Sequence, residues 1–170
     1  MTTDSDIAAW LAGRLPDEWT SLDPAQITID REEITIVLTL AAPELGDEAD
    51  PADRAAALDG RITGFREDTR ERRIRIASDA EHRFEKKVSW GVVVGDESRM
   101  FTRLAAPAMT RLRQPERQVL DTLVAANVAR SRADALAWCV RLVGQNLDDW
   151  LDDLRAALEK VDEVRRTGPQ

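Results

Sequence analysis

Apolar and polar positions alternate along this chain in two distinct periods. Ile7, Trp10 and Leu11 fall on one face of a segment running from Ser5 to Arg14, with Asp4 or Ser5 before it and Leu15-Pro16 after it. That spacing predicts a short amphipathic helix. The period then changes to two. Ile27 and Ile29, then Ile34, Ile36, Leu38 and Leu40, flank the polar stretch Asp30-Arg31-Glu32-Glu33, which reads as a hairpin with one buried face. An acidic Pro/Gly-containing stretch, AAPELGDEADPAD, follows and reads as an exposed loop or as the approach to a helix.

Between Pro51 and about Lys87, Leu58, Ile62, Phe65, Thr69, Ile76, Ala80 and Phe84 fit a single helical stripe. An unbroken helix of that length spans about 50 Å, more than a compact domain of this size accommodates, so a break or kink is expected near Gly60 and Gly64. The interleaved charges of Arg66 to Arg75 read as a solvated face with i,i+4 pairs. Strict alternation returns at Val88, Trp90, Val92 and Val94. The turn residues Gly95-Asp96-Glu97-Ser98 and a return strand from Arg99 to Leu104 complete a second hairpin. The order α, ββ, α, ββ suggests an α+β domain over residues 1–105, a small antiparallel sheet of two hairpins with a long helix across it.

Residues 106–170 form a second region. Ala108 to Gln114 alternates Thr110 and Leu112 on one side with Arg111 and Arg113 on the other, the pattern of a short strand with two arginines outward. Pro115 suits the first turn of a helix whose apolar face is Val119, Leu120, Leu123 and Val124, and Asn127 tolerates a left-handed stop. Ser131, three residues before Asp134, resembles a capping box for a helix through Leu136, Cys139, Val140 and Val143. A last helix over residues 146–166 carries Leu147, Leu151, Leu154, Leu158 and Val161 at heptad spacing, a seam too short to stand alone and suited to packing on neighbouring helices or across a dimer axis.

Charge changes the picture in this region. The chain of 170 residues has a formal net charge of −8. Residues 1–50 carry 12 acids against 2 bases, whereas Arg99 to Arg141 carries eight arginines against Glu116, Asp121 and Asp134. One basic surface can therefore coexist with an acidic whole. The core RLRQPERQVLDTLVAANVARSRADALAWCVRLV resembles the ribbon-helix-helix family of DNA-binding proteins and antitoxins. Its turn reads Ser131-Arg132-Ala133-Asp134-Ala135 where members commonly have Ser-Arg-Ser-Glu-Ala. The resemblance implies a homodimer in which each chain lends one strand to a ribbon entering the major groove of duplex DNA. It makes Arg111 and Arg113 the ribbon side chains, and Ser131 and Arg132, beside Arg130, a phosphate clamp.

Candidate chemistry is sparse. Cys139, the single cysteine, reads as a buried structural thiol and His82, the single histidine, as a surface residue, so neither a zinc site nor a nucleophile with its base is expected. The five tryptophans read as core residues, and the aspartates of the last helix lack EF-hand spacing. No cofactor, metal or enzymatic activity is expected. With no membrane span and no secretory signal, the expected compartment is the cytoplasm. The sequence thus points to a DNA-binding transcriptional regulator. The alternative is a non-enzymatic adaptor whose acidic amino-terminal half binds a protein partner.

Overall fold

The computed structural model describes residues 3–46 and 50–167. Residues 47–49 of the predicted acidic loop lie outside the described residues. The chain divides into two compact units, residues 1–107 and 108–170.

The first unit opens with α1 (Asp4–Arg14), followed by a single 3-10 turn at Asp17–Trp19. The cap of α1 is Thr3 rather than Asp4 or Ser5. Its hydroxyl accepts from the Asp6 backbone N–H while the Asp6 carboxylate accepts from Thr3 N, a reciprocal capping box. The strands β1 (Gln26–Ile29) and β2 (Glu33–Leu40) form the first hairpin, and β3 (Lys87–Val94) and β4 (Glu97–Met100) the second. Gly95, with φ of 60°, supplies the positive dihedral at the first central position of the two-residue turn, a conformation that favours glycine.

The sheet has the order β1-β2-β3-β4, and its central pair, β2 and β3, is parallel. This corrects the expectation of an antiparallel sheet. Between the hairpins lie α2 (Pro51–Asp68) and α3 (Arg70–Phe84), and this helical crossover carries the chain back to the end of the sheet where β2 began. Strands joined that way run in the same direction. Ile34, Ile36, Leu38 and Leu40 alternate with half-exposed neighbours on β2 and align with Val88, Trp90, Val92 and Val94 on β3. The helical stripe predicted from Leu58 to Phe84 packs on this face together with Ile7, Leu11, Leu15 and Trp19. Burying an aliphatic side chain of this size stabilises by about 1.5–3 kcal/mol, and eight of the fifteen residues of this buried cluster lie on the two strands.

The helical interruption falls at Thr69 rather than at Gly60 or Gly64. Both glycines sit inside α2, and a Cβ added at either meets nothing within 4 Å, so neither marks close packing. Thr69 donates its hydroxyl back to the Phe65 carbonyl at 2.5 Å, sharing that oxygen with its own backbone N–H at 3.1 Å, the back-bond that commonly accompanies a helix bend. Arg73 then reaches back with Nη2 to the Arg66 carbonyl at 2.7 Å and with Nε to the Thr69 hydroxyl at 3.1 Å. Thus Arg73 is buried, against the expectation that the Arg66–Arg75 run is a solvated face. Arg72 pairs not within the run but with Glu18, at 2.5 Å.

Residues 101–113, which include the boundary between the units, have no regular secondary structure, so the strand predicted over Ala108–Gln114 is absent. Alternation is a strand signal only where a neighbouring strand pairs with the segment, and none of the described strands does. Three helices follow: α4 (Gln114–Ala125), α5 (Arg132–Asn146) and α6 (Asp148–Arg166).

Candidate nucleic-acid interface

The predicted interface residues cluster around the start of α4 and the turn between α4 and α5. Leu112 is half-buried and packs with Leu120, Ala129 and Ala135, the small core of this unit, while Arg111 and Arg113 on either side of it are exposed. Of the alternation read from the sequence, Leu112 turns inward between the two arginines, whereas Thr110, expected on the same side as Leu112, is exposed. Among the described residues neither arginine makes an ion pair or a side-chain hydrogen bond. Arg113 is also the amino-terminal cap residue of α4, whose first N–H groups receive no side-chain acceptor.

Local chemistry builds the turn. Asn127, with φ of 56°, ends α4: its N–H donates to the Val124 carbonyl, and Val128 N donates to the Leu123 carbonyl. Together these bonds form a Schellman motif. Ser131 caps α5 by accepting from Asp134 N at 3.2 Å. Asp134 reaches back one residue further than a capping box requires and accepts from the Arg130 backbone N–H at 3.0 Å. That bond holds the Asp134 carboxyl below its usual pKa.

The proposed phosphate clamp is divided. Arg132 donates through Nε and Nη2 to both carboxylate oxygens of Asp121, at 2.6 and 2.7 Å, a bidentate pair joining α5 to α4. The pairing lowers the Asp121 pKa and raises that of Arg132. The guanidinium is therefore engaged inside the unit, and the Ser131 hydroxyl is engaged as a cap. Arg130, by contrast, has a side chain 95% exposed, with Nε 3.7 Å from Asp134. The sequence pattern offers Arg132 as a free clamp residue because its partner lies 11 residues away on the preceding helix.

The unit also exposes much apolar surface. Only Leu120, Ala129 and Ala135 are buried among its described hydrophobic residues. Met109 is 98% exposed, and Val140, Val143, Trp150, Leu154, Leu158, Val161 and Val164 stand open on α5 and α6. Trp150 thus departs from the expectation of a core tryptophan, and Cys139 is half-buried rather than buried. A groove of about 350 Å³ runs between Ala108–Leu112 and the facing residues Leu120, Ala133 and Leu136. No group of three or more His, Cys, Asp or Glu residues among the described ones is placed to hold a metal ion, and no described helix is long and apolar enough to cross a membrane.

These features define a two-unit protein, an amino-terminal α+β unit and a carboxy-terminal helical unit. The chain belongs to the Rv1265-like protein family: residues 5–100 match the Rv1265-like protein, N-terminal domain, and residues 113–165 match the Mb1296 C-terminal domain. Similar relatives are the uncharacterized proteins Mb1296 of Mycobacterium bovis and Rv1265 of Mycobacterium tuberculosis. Each is 53% identical over 165 residues, which cover 97% of this chain and 71% of the relative. No solved structure matches the chain.

Proposed function

We propose that the chain is a homodimeric cytoplasmic DNA-binding protein, a transcriptional regulator that grips duplex DNA through Arg111 and Arg113. The carrying observation is the pair of exposed, unpartnered arginines held in place by the inward Leu112. A planar guanidinium can bond guanine O6 and N7 together or a phosphate in the same fork geometry. Arg130 joins them as a phosphate contact, and the open N–H groups at the start of α5 attract the same anion. Arg132 acts as a strut through Asp121 rather than as a contact.

The second copy is the occupant argued for the open apolar faces. Three buried hydrophobic residues cannot hold some 60 residues in a folded state by themselves. Identical faces on another copy would cover Met109 and the leucine stripe of α6 without leaving carboxylates in the interface, because Asp148, Asp149, Asp152 and Asp153 lie off that stripe. The ribbon implied by the family resemblance also requires two chains.

The test is a titration of random genomic duplex fragments at two salt concentrations, with sequencing of the retained fraction. Enrichment of a short inverted repeat is expected. Arg111→Ala with Arg113→Ala removes four phosphate or base contacts per dimer and should flatten the log–log salt slope by as much as about 3.6. Absence of retention at low salt overturns the reading in favour of a dimeric adaptor.

A further inference from the structure

The amino-terminal unit holds a cation without a counter-charge. Arg73 is 7% exposed, and no carboxylate pairs with it among the described residues. Its Nε and Nη2 donate to neutral oxygens, those of Thr69 and Arg66, and Nη1 has no hydrogen-bond partner among the described residues and is not closed off from solvent. The guanidinium lies 4.9 Å from the Phe101 ring centroid. Burial first, and then the like charges of Arg66 and Arg70, depress its pKa. A buried charge ordinarily needs an opposite charge beside it.

Arg73 lines a cavity of about 330 Å³ between α3 and the sheet, bounded by Ile74, Ala77, Val88, Trp90 and Thr102. Trp90 is 3% exposed, and its indole Nε1 is the one buried side-chain polar atom without a hydrogen-bond partner among the described residues. Glu81, the acid on the cavity wall, is already paired with Lys87 at 2.7 Å. The indole Nε1 is closed off from the cavity, which offers a ligand an apolar wall of Ile74, Ala77, Val88 and the Trp90 ring, the polar side chains of Ser78 and Thr102, and a cation with no carboxylate beside it, a combination found at small-molecule sites.

The geometry points to this cavity as a binding site for a small organic carboxylate, its apolar body against Ile74, Ala77 and Val88 and its head on Arg73 Nη1. A monoanion fits better than a phosphate because few donors remain. The carboxylate supplies the charge that Arg73 lacks, and the remaining two guanidinium nitrogens keep their role at the helical bend.

The probe is 1-naphthoate, with neutral 1-naphthamide as its isostere, titrated into the full chain and read by the five tryptophan indole N–H resonances in a nitrogen-correlated spectrum. Trp90→Phe assigns the relevant peak. Naphthoate should shift that peak saturably, and naphthamide should bind at least about tenfold more weakly. Arg73→Met should abolish the naphthoate shift. Ala77→Leu, which narrows the cavity and leaves Arg73 in place, should do the same, and it decides the matter if Arg73→Met does not fold. No shift with millimolar naphthoate, equal binding of the amide, or binding retained in Ala77→Leu would overturn the assignment.

Discussion

Single side chains in this protein divide into those whose role follows from their neighbours in sequence and those whose role is set by a distant partner. Ser131 belongs to the first group. Its cap needs only the N–H of Asp134 three residues on, so Ser131→Ala should lower stability by about 1 kcal/mol, read from the urea midpoint at constant m-value. Asn127 was readable for the same reason, as a residue that tolerates the left-handed conformation. Arg132 and Arg73 belong to the second group. Both occur in charged stretches that look solvated, and only packing shows that Asp121 faces one and that Phe101 covers the other. This distinction yields a ranking of DNA contacts. Arg111→Ala should cost about 1–3 kcal/mol of binding free energy, whereas Arg132→Ala should leave affinity within about twofold at the same salt concentration. The opposite ranking in a fluorescence-anisotropy titration would mean that the Asp121 pair opens on DNA.

Elements were readable where periodicity alone decides them. Both hairpins, the buried sets Ile34 to Leu40 and Val88 to Val94, and the stripe from Leu58 to Phe84 follow from the spacing of apolar residues. Alternation says which face of a strand is buried but not which strand lies beside it, so the parallel β2 and β3 pair was out of reach. The helical break was misplaced for a related reason. Glycine lowers helix propensity, yet the interruption falls at Thr69, where a back-bonded hydroxyl and the reach of Arg73 add side-chain donors to the carbonyls of Phe65 and Arg66. The hairpin turn between β1 and β2 carries its own pH dependence. Asp30 Oδ1 accepts from the backbone N–H groups of Glu33 and Glu32, both at 2.8 Å, and these bonds lower its pKa in the folded chain. Because the folded carboxyl is the stronger acid, its stabilisation is complete above the unfolded value near 4 and is lost as pH falls through the folded one. Asp30→Asn retains an acceptor but does not titrate. Its urea midpoint should therefore fall less steeply than that of the unsubstituted protein as the solution is acidified below about pH 4.

At the scale of the whole molecule, charge and core are distributed unequally. Residues 108–141 carry six arginines against three acids and residues 142–170 four bases against seven acids, so the carboxy-terminal unit is formally neutral and the amino-terminal unit carries the whole excess of −8. At physiological salt a charge is felt over about 8 Å, so DNA docked at Arg111 as proposed would meet the local arginines rather than the molecular average. The cores differ more sharply. Fifteen described residues form the buried cluster of the first unit and three that of the second. The first unit has the core of an independently folding domain. In the proposed dimer a partner copy covers the apolar surfaces the second leaves open, and its unfolding is then a mass-action equilibrium. Produced separately, residues 1–107 should unfold cooperatively with a midpoint independent of protein concentration. Residues 108–170 should show a midpoint that rises with concentration. Replacing Leu154 and Leu158 by lysine on the open stripe of α6 should lower that midpoint and erase its concentration dependence, with monomer appearing in sedimentation equilibrium at concentrations where the parent fragment is dimeric. A concentration-independent midpoint for 108–170 would mean that one copy suffices, and the ribbon, which needs two, would fall with the dimer.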